Sequence, residues 1–410
     1  MNLEVPIEII HGNGCASQAA SDWTFARTKT ALDPANYDGA AYWFEIVTVN
    51  NDSVSHDITL WDATNGAAAS TITVVNGTSG ITRKRATAAF TPAAGNCTYE
   101  ILIPQTTADD NVKVYTARII VIQTNATKTR IQIPLAAGVD VQCSYLDNNA
   151  NYLDRRNTAS YGAGTSNYYR YHLKEAGVYA TLGATAWNFE AVLSADAGGT
   201  AYAEVQNYTD TTDIAETAVS TTSATATLCA SAAFSDGLTG FHDGDVFHAR
   251  IKTSNASYYA YLHAACLYVT VTNLTKVQIF YRVSRRESVT AGGAAASYAA
   301  SRVLYTVANY TSPTIYYEMT GYCLDAADAW FLQERNSDSL TSGATDLVAH
   351  TWGTATRDRW RSTAVTITNG YKLICRAPQM TAANCIVSGF LVINCETQWA
   401  GITIIRDVRA

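Results

Sequence analysis

The run Thr275-Lys276-Val277-Gln278-Ile279-Phe280-Tyr281-Arg282-Val283 has an upstream counterpart in Thr127-Lys128-Thr129-Arg130-Ile131-Gln132-Ile133-Pro134-Leu135. Looser copies stand near the two ends, Val5-Pro6-Ile7-Glu8-Ile9-Ile10 and Ile402-Thr403-Ile404-Ile405-Arg406. Self-similarity at a long, regular interval constrains a fold more than composition does, because each interval must be one repeated structural unit. Three units lie between the four copies. They predict modules at 1–130, 131–276 and 277–410, the last with an extra C-terminal strand.

Inside each unit, short runs rich in β-branched and aromatic residues alternate with Gly, Asn, Asp and Pro, the pattern of strands and turns in a sandwich. Module one offers runs at Trp23–Lys29, Tyr42–Val49, Asp57–Asp62, Ser70–Val75, Arg83–Arg85, Tyr99–Ile103 and Val114–Ile122. No window sustains a helical period. The Ala-rich stretch from Gly292 to Ala300 reads as a loop, because Gly292-Gly293 opens it. Three marks recur in one order: an Arg (Arg27, Arg170, Arg302), an aromatic–Glu pair (Phe44-Glu45, Phe189-Glu190, Tyr317-Glu318), and a Gly-plus-aromatic entry to the penultimate strand.

The predicted fold is therefore all-β, three tandem jelly-roll-like antiparallel β-sandwich modules. This layout resembles the jelly-roll modules of carbohydrate-binding domains and of bacteriophage tail, fibre and capsid-decorating proteins, over nearly the whole chain. The resemblance implies a structural or binding role and brings no site residue with it.

Hydrophobic residues are 48% of the 410, enough for a core in each module. Charged residues are only 15%, against roughly 25% in an average domain, so Thr, Ser, Asn, Gln and Tyr must cover much of the surface. A net charge of −7 gives no case for a nucleic-acid partner. No apolar run approaches the ~18 residues of a membrane span, so no membrane partner is expected. Met1 to His11 lacks the basic and apolar regions of a secretory leader, so either the chain is a mature one or the protein reaches the outside without a signal, as virion proteins released by lysis do. The nine cysteines include no CxxC and read mostly as buried free thiols. Cys375 and Cys385 flank the turn at Pro378 and are close enough to pair, whereas Cys385 and Cys395 share one strand and are not. Eight Asn-x-Ser/Thr sequons carry little weight in a chain this rich in Asn and Thr.

No GxSxG, HExxH, Walker loop or suitably placed GxGxxG occurs, so the chain is expected not to be an enzyme and to need no cofactor. The densest polar cluster is His242-Asp243-Gly244-Asp245, with His248 after it. An extended backbone sets Asp243 and Asp245 on one face and His242 and His248 on the other, so the segment reads as a solvated turn and no metal is assigned. Arg83 and Arg85 alternate along a strand, and Arg357, Arg359 and Arg361 do so at the matching place in module three. Each set shares a face: either a surface for an anionic partner such as a polysaccharide or viral shell, or an exposed sheet that Arg keeps soluble. Two tyrosine groups (168, 169 and 171; 258, 259 and 261) and Trp43, Trp187, Trp352 and Trp360 offer stacking surfaces for sugar, or core packing.

At the chain's ends, Ile7, Ile9 and Ile10, and Ile402, Ile404 and Ile405, have no module beyond them. They are candidate inter-subunit strands, the alternative being that both ends fold back on their own modules. The expected function is that of a non-enzymatic bacteriophage virion protein, a decoration, fibre or tail-associated subunit working as a homo-oligomer or with other virion proteins. The alternative is a bacterial extracellular filament subunit or carbohydrate-binding adhesin at the cell surface.

Overall fold

A computed structural model of the chain describes residues 2–16, 23–24, 29–51, 53–103, 112–136, 154–161, 172–173, 184–272, 274, 276–282, 287–289, 297–304, 313–323, 329–335, 344–351, 358–368, 371–376 and 385–396. These residues contain no α-helix and one turn of 3-10 helix, Pro34–Asn36.

The strands form six antiparallel sheets in three pairs. In the first module, β1 (Leu3–Ala16), β9 (Val112–Gln123), β4 (Ala40–Asn50) and β7 (Thr78–Arg85) make one sheet in that order. The other runs β2 (Trp23–Thr24), β8 (Cys97–Ile103), β5 (His56–Asp62), β6 (Ala67–Val74), with β3 (Thr30–Leu32) also on β8. The second module repeats this order as β10 (Thr129–Ala136), β18 (Ala260–Val271), β13 (Ala184–Ala195), β16 (Thr227–Ala230), and β12 (His172–Leu173), β17 (Val246–Thr253), β14 (Ala201–Asn207), β15 (Thr212–Thr221). The third has β19 (Lys276–Arg282), β27 (Cys385–Glu396), β22 (Pro313–Cys323), β25 (Asp358–Arg361), and β21 (Ser297–Leu304), β26 (Lys372–Arg376), β23 (Ala329–Arg335), β24 (Ala344–Thr351). Short strands β11 (Asp154–Arg156) and β20 (Glu287–Val289) add to β18 and β27. First strand beside last, and second beside penultimate, is the two-sheet order of a jelly roll.

The recurring aromatic–Glu pair follows from strand periodicity. Phe44, Phe189 and Tyr317 point into their sandwiches and are fully buried, so the Glu that follows each must point out of the opposite face. One contiguous apolar cluster runs from Leu3 through Phe189 to Leu373 and joins the modules.

Among the described residues β10 pairs β18 and β19 pairs β27, so each linking run opens its own module. Two readings of the sequence are revised. The N-terminal run, a candidate inter-subunit strand, folds back on its own module as β1, which pairs β9 from Leu3 to Ala16, buries Ile7 and Ile9, and stands at the edge of its sheet. Ser297–Ala300, read as loop, begins β21. The pattern also passed over β15, where only Ile214, Thr217 and Val219 are buried, too few to mark an edge strand.

The three opening strands β1, β10 and β19 lie against one another. Around them, β21 of the third module lies on β4, β7 and β9 of the first. The crossing into module two is pinned by Asp38, whose carboxylate accepts the backbone N–H groups of Thr127 and Lys128, each at 2.9 Å.

Candidate functional site

Two of the outward-facing glutamates, Glu45 and Glu190, sit where modules meet. Glu45 on β4 stands opposite Arg118 of β9 on one side and Arg85 of β7 on the other, with Arg83 two residues along. Its carboxylate accepts from Arg83, lies 2.9 Å from Arg85 Nη2 and 3.4 Å from Arg118 Nε, and Arg85 also reaches Glu4 at 3.3 Å. Burial by itself would push Glu45 up, but Arg83, Arg118 and Arg85 together hold it down at about 2. Strand β21 runs over the sheet that carries this cluster.

Glu190 holds the matching place on β13, but Cys266 and Ala230 stand opposite it. Among the described residues its guanidinium partner is Arg130 of β10, at 2.9 Å. Here burial outweighs Arg130, and the Glu190 carboxyl is raised. Burial also works against the charge on Arg130, yet Glu190 and the neighbouring tyrosines keep its pKa above the ordinary value. Arg130 lies 3.9 Å over the Tyr268 ring, and Tyr268 Oη meets Thr30 Oγ1 at 2.8 Å and Gln132 Nε2 at 2.9 Å. Gln132 Oε1 accepts the Glu8 N–H at 2.8 Å. Thr30 and Glu8 belong to module one, so this polar network is the seam between modules one and two. In module three, Glu318 pairs with Arg361 directly opposite, at 2.7 Å.

The arginines singled out in the sequence thus have carboxylates inside the chain: Glu45 for Arg83 and Arg85, Glu318 for Arg361. Arg359 stands opposite Thr320 in the register, and Arg357 lies outside the described residues. On β1, Ile10 pairs Ala117, while Ile402, Ile404 and Ile405 lie outside the described residues. Trp187 is core, edge-on to Phe241 at 4.8 Å, with its Nε1 donating to Asp236 at 2.9 Å. Trp43 is half-buried, and Trp360 stacks on His350 at 4.3 Å. Tyr168, Tyr169, Tyr171, Trp352 and the turn at Pro378 lie outside the described residues. Cys97 and Cys266 are buried free thiols.

Two further features lie on module two. On the sheet containing β14 and β17, Lys252 sits 4.0 Å over Tyr161 and 5.2 Å over Tyr202, while Arg250 bridges Glu204 and Asp213. At one end of the same strands, Gly244 takes φ +87°, a conformation that glycine adopts without strain. The segment is therefore a turn and not extended, and the alternation expected of it does not apply. His242 and Asp245 come to the same side, Nδ1 to Oδ2 3.3 Å, and Asp210 from the β14–β15 turn places its Oδ2 3.4 Å from the same nitrogen. Asn207, fully buried, donates to both carboxylates, at 3.1 Å to Asp210 and 2.7 Å to Asp245, and to the Gly240 carbonyl at 2.9 Å. The sequence order held only part of this signal: Asp210 lies far from His242 along the chain, and only the pairing of β14 with β17 brings their loops together.

Comparison with known protein families and with curated proteins finds no match for this chain.

Proposed function

We propose that this chain is a non-enzymatic structural protein of a bacteriophage virion, a decoration, fibre or tail-associated subunit that acts through protein–protein contacts. The observation that supports this reading is how the polar groups are used. Thr30 and Glu8 of module one bond Tyr268 and Gln132 of module two, and β21 of module three lies on the sheet that carries Glu45, which suits a rigid, extended contact surface. Mass spectrometry of density-purified particles from the producing host tests it, together with native mass spectrometry of the recombinant protein. The expected result is a stoichiometric component of the particle. A chain that is absent from particles and stays a 44.1 kDa monomer at high concentration overturns the reading.

A second reading, a carbohydrate-binding surface protein, draws on the half-buried Tyr161, Tyr202 and Tyr259 of module two, since aromatic rings beside charged groups suit sugar stacking. Glycan-array binding that Tyr202→Ala abolishes favours it over the first.

A further inference from the structure

Module one supplies an internal control for the loop cluster of module two. Asp62 stands opposite Tyr99 in the β5–β8 pair, and Asn207 opposite Phe247 in the β14–β17 pair. In that register Asn207 matches Asp62, Asp210 matches Asn65, and Asp245 matches Cys97, two residues before the aromatic. Module one joins its two loops with one carboxylate and an amide: Asn65 Nδ2 donates to Asp62 Oδ2 at 2.7 Å and contacts Cys97 Sγ at 3.4 Å. The fold therefore closes these loops with a single carboxylate.

Module two has exchanged the roles. The amide is now the buried residue, and the two outer positions are carboxylates with an imidazole between them. Among the described residues no lysine or arginine pairs with Asp210 or Asp245. Two carboxylate oxygens drawn to one amide nitrogen repel each other unless a cation lies between them.

The spacing selects the cation. His242 Nδ1 is 3.3 Å from one oxygen and 3.4 Å from the other, long for hydrogen bonds, whose usual length is ~2.9 Å. Nitrogen and oxygen donors bound tetrahedrally at ~2.0–2.1 Å to one metal stand ~3.3–3.4 Å apart. All three ligand atoms lie within 4.8 Å of one another. An imidazole in the set disfavours Ca²⁺ and Mg²⁺, which take oxygen ligands, and suits a first-row transition ion.

We propose that Asp210, His242 and Asp245 form a site for a divalent first-row transition ion, with Zn²⁺ matching the spacing best. Asn207 orients the two carboxylates from behind, and solvent fills the remaining coordination position. Asn207 is a positioning residue here, since its amide meets the ligands and not the metal. The bound ion clamps the β14–β15 turn to the loop that enters β17. This goes beyond the structural reading above and does not depend on it.

Isothermal titration of ZnCl₂ into the full chain, stripped with a chelator and dialysed, tests the site. One saturable site is expected, with affinity at least about tenfold weaker in both Asp210→Asn and His242→Ala. Far-UV circular dichroism checks that both variants keep the wild-type fold. Asp243→Asn, the neighbouring carboxylate outside the ligand set, is expected to bind as the wild type does. Co²⁺ is expected to give visible d–d bands without thiolate charge-transfer absorption, which separates this site from the cysteines. No saturable binding, equal affinity in His242→Ala, equal weakening in Asp243→Asn, or tighter binding of Ca²⁺ than of Zn²⁺ each overturns the proposal.

Discussion

Glu45 and Glu190 hold the same position in neighbouring modules, each one residue after a core phenylalanine and each almost wholly buried, yet their carboxyls are shifted in opposite directions. Depth does not separate them, since both have lost their water. The number of guanidinium groups does. Glu45 has Arg118 and Arg85 across the ladder on either side, with Arg83 beyond, and their summed attraction exceeds the desolvation penalty. Glu190 faces Cys266 and Ala230 instead, and one arginine reaching from β10 does not make up the difference. A buried ion pair is near break-even in energy, so adding or removing one partner decides which side it falls on.

The largest expected effect is at Glu45. Glu45→Gln leaves a buried Arg118 and a half-buried Arg83 beside a neutral amide and should cost ~3–5 kcal/mol, read from urea unfolding midpoints. The same change at Glu190 removes a carboxylate whose ionised form is already disfavoured, and should cost ~1–2 kcal/mol for the hydrogen bond to Arg130. Equal losses at the two sites would show that the count of arginines is not what distinguishes them.

Acidity separates the sites further. Glu45 is depressed in the folded chain, so its contribution is complete above the ordinary carboxylate value of 4.5 and is lost as pH falls toward about 2. Melting temperature should drop across that window in the wild type and change less in Glu45→Gln. Glu190 is raised, so its contribution is complete below the ordinary value and declines as pH rises through its folded value. The destabilisation caused by Glu190→Gln should accordingly be greater at pH 4 than at pH 8, and the reverse order would contradict the raised carboxyl.

The smallest effect compares the loops of the two modules. Gly95 (φ +86°) and Gly244 (φ +87°) both take left-handed turns, and a Cβ on either would meet no atom within 4 Å. Alanine at each should cost about 1 kcal/mol from backbone strain alone, equally in the two modules. Thermal unfolding in the presence of a chelator checks the equality, and a markedly greater loss at Gly244 would mean that the turn does more than reverse the chain.

Much of this was legible in the sequence. The linking runs fall on β10 and β19, each the first strand of a new sheet, and the order of recurring residues matched strands in equivalent sheet positions, β4, β13 and β22 above all. Arg83 and Arg85 were rightly set on one face, and His242 and Asp245 were rightly set in a turn. What covers the arginine face was not legible, nor was the meeting of His242 with Asp210.

The reason is the range of the forces involved. Alternation and turn chemistry are local: a side chain two residues along must return to the same face, and glycine eases the φ that a reversal needs, so strand content, module period and the outward aim of the three glutamates follow from the sequence alone. Which charges meet depends on register between strands far apart in the chain and on how whole sheets pack. Arg130 reaches Glu190 only once β10 and β13 have come to either side of β18, and Thr30 reaches Tyr268 and β21 crosses the face of Glu45 only once the sandwiches have closed on one another. Periodicity says which way a residue points; only tertiary structure decides whether water, an arginine or another module lies there.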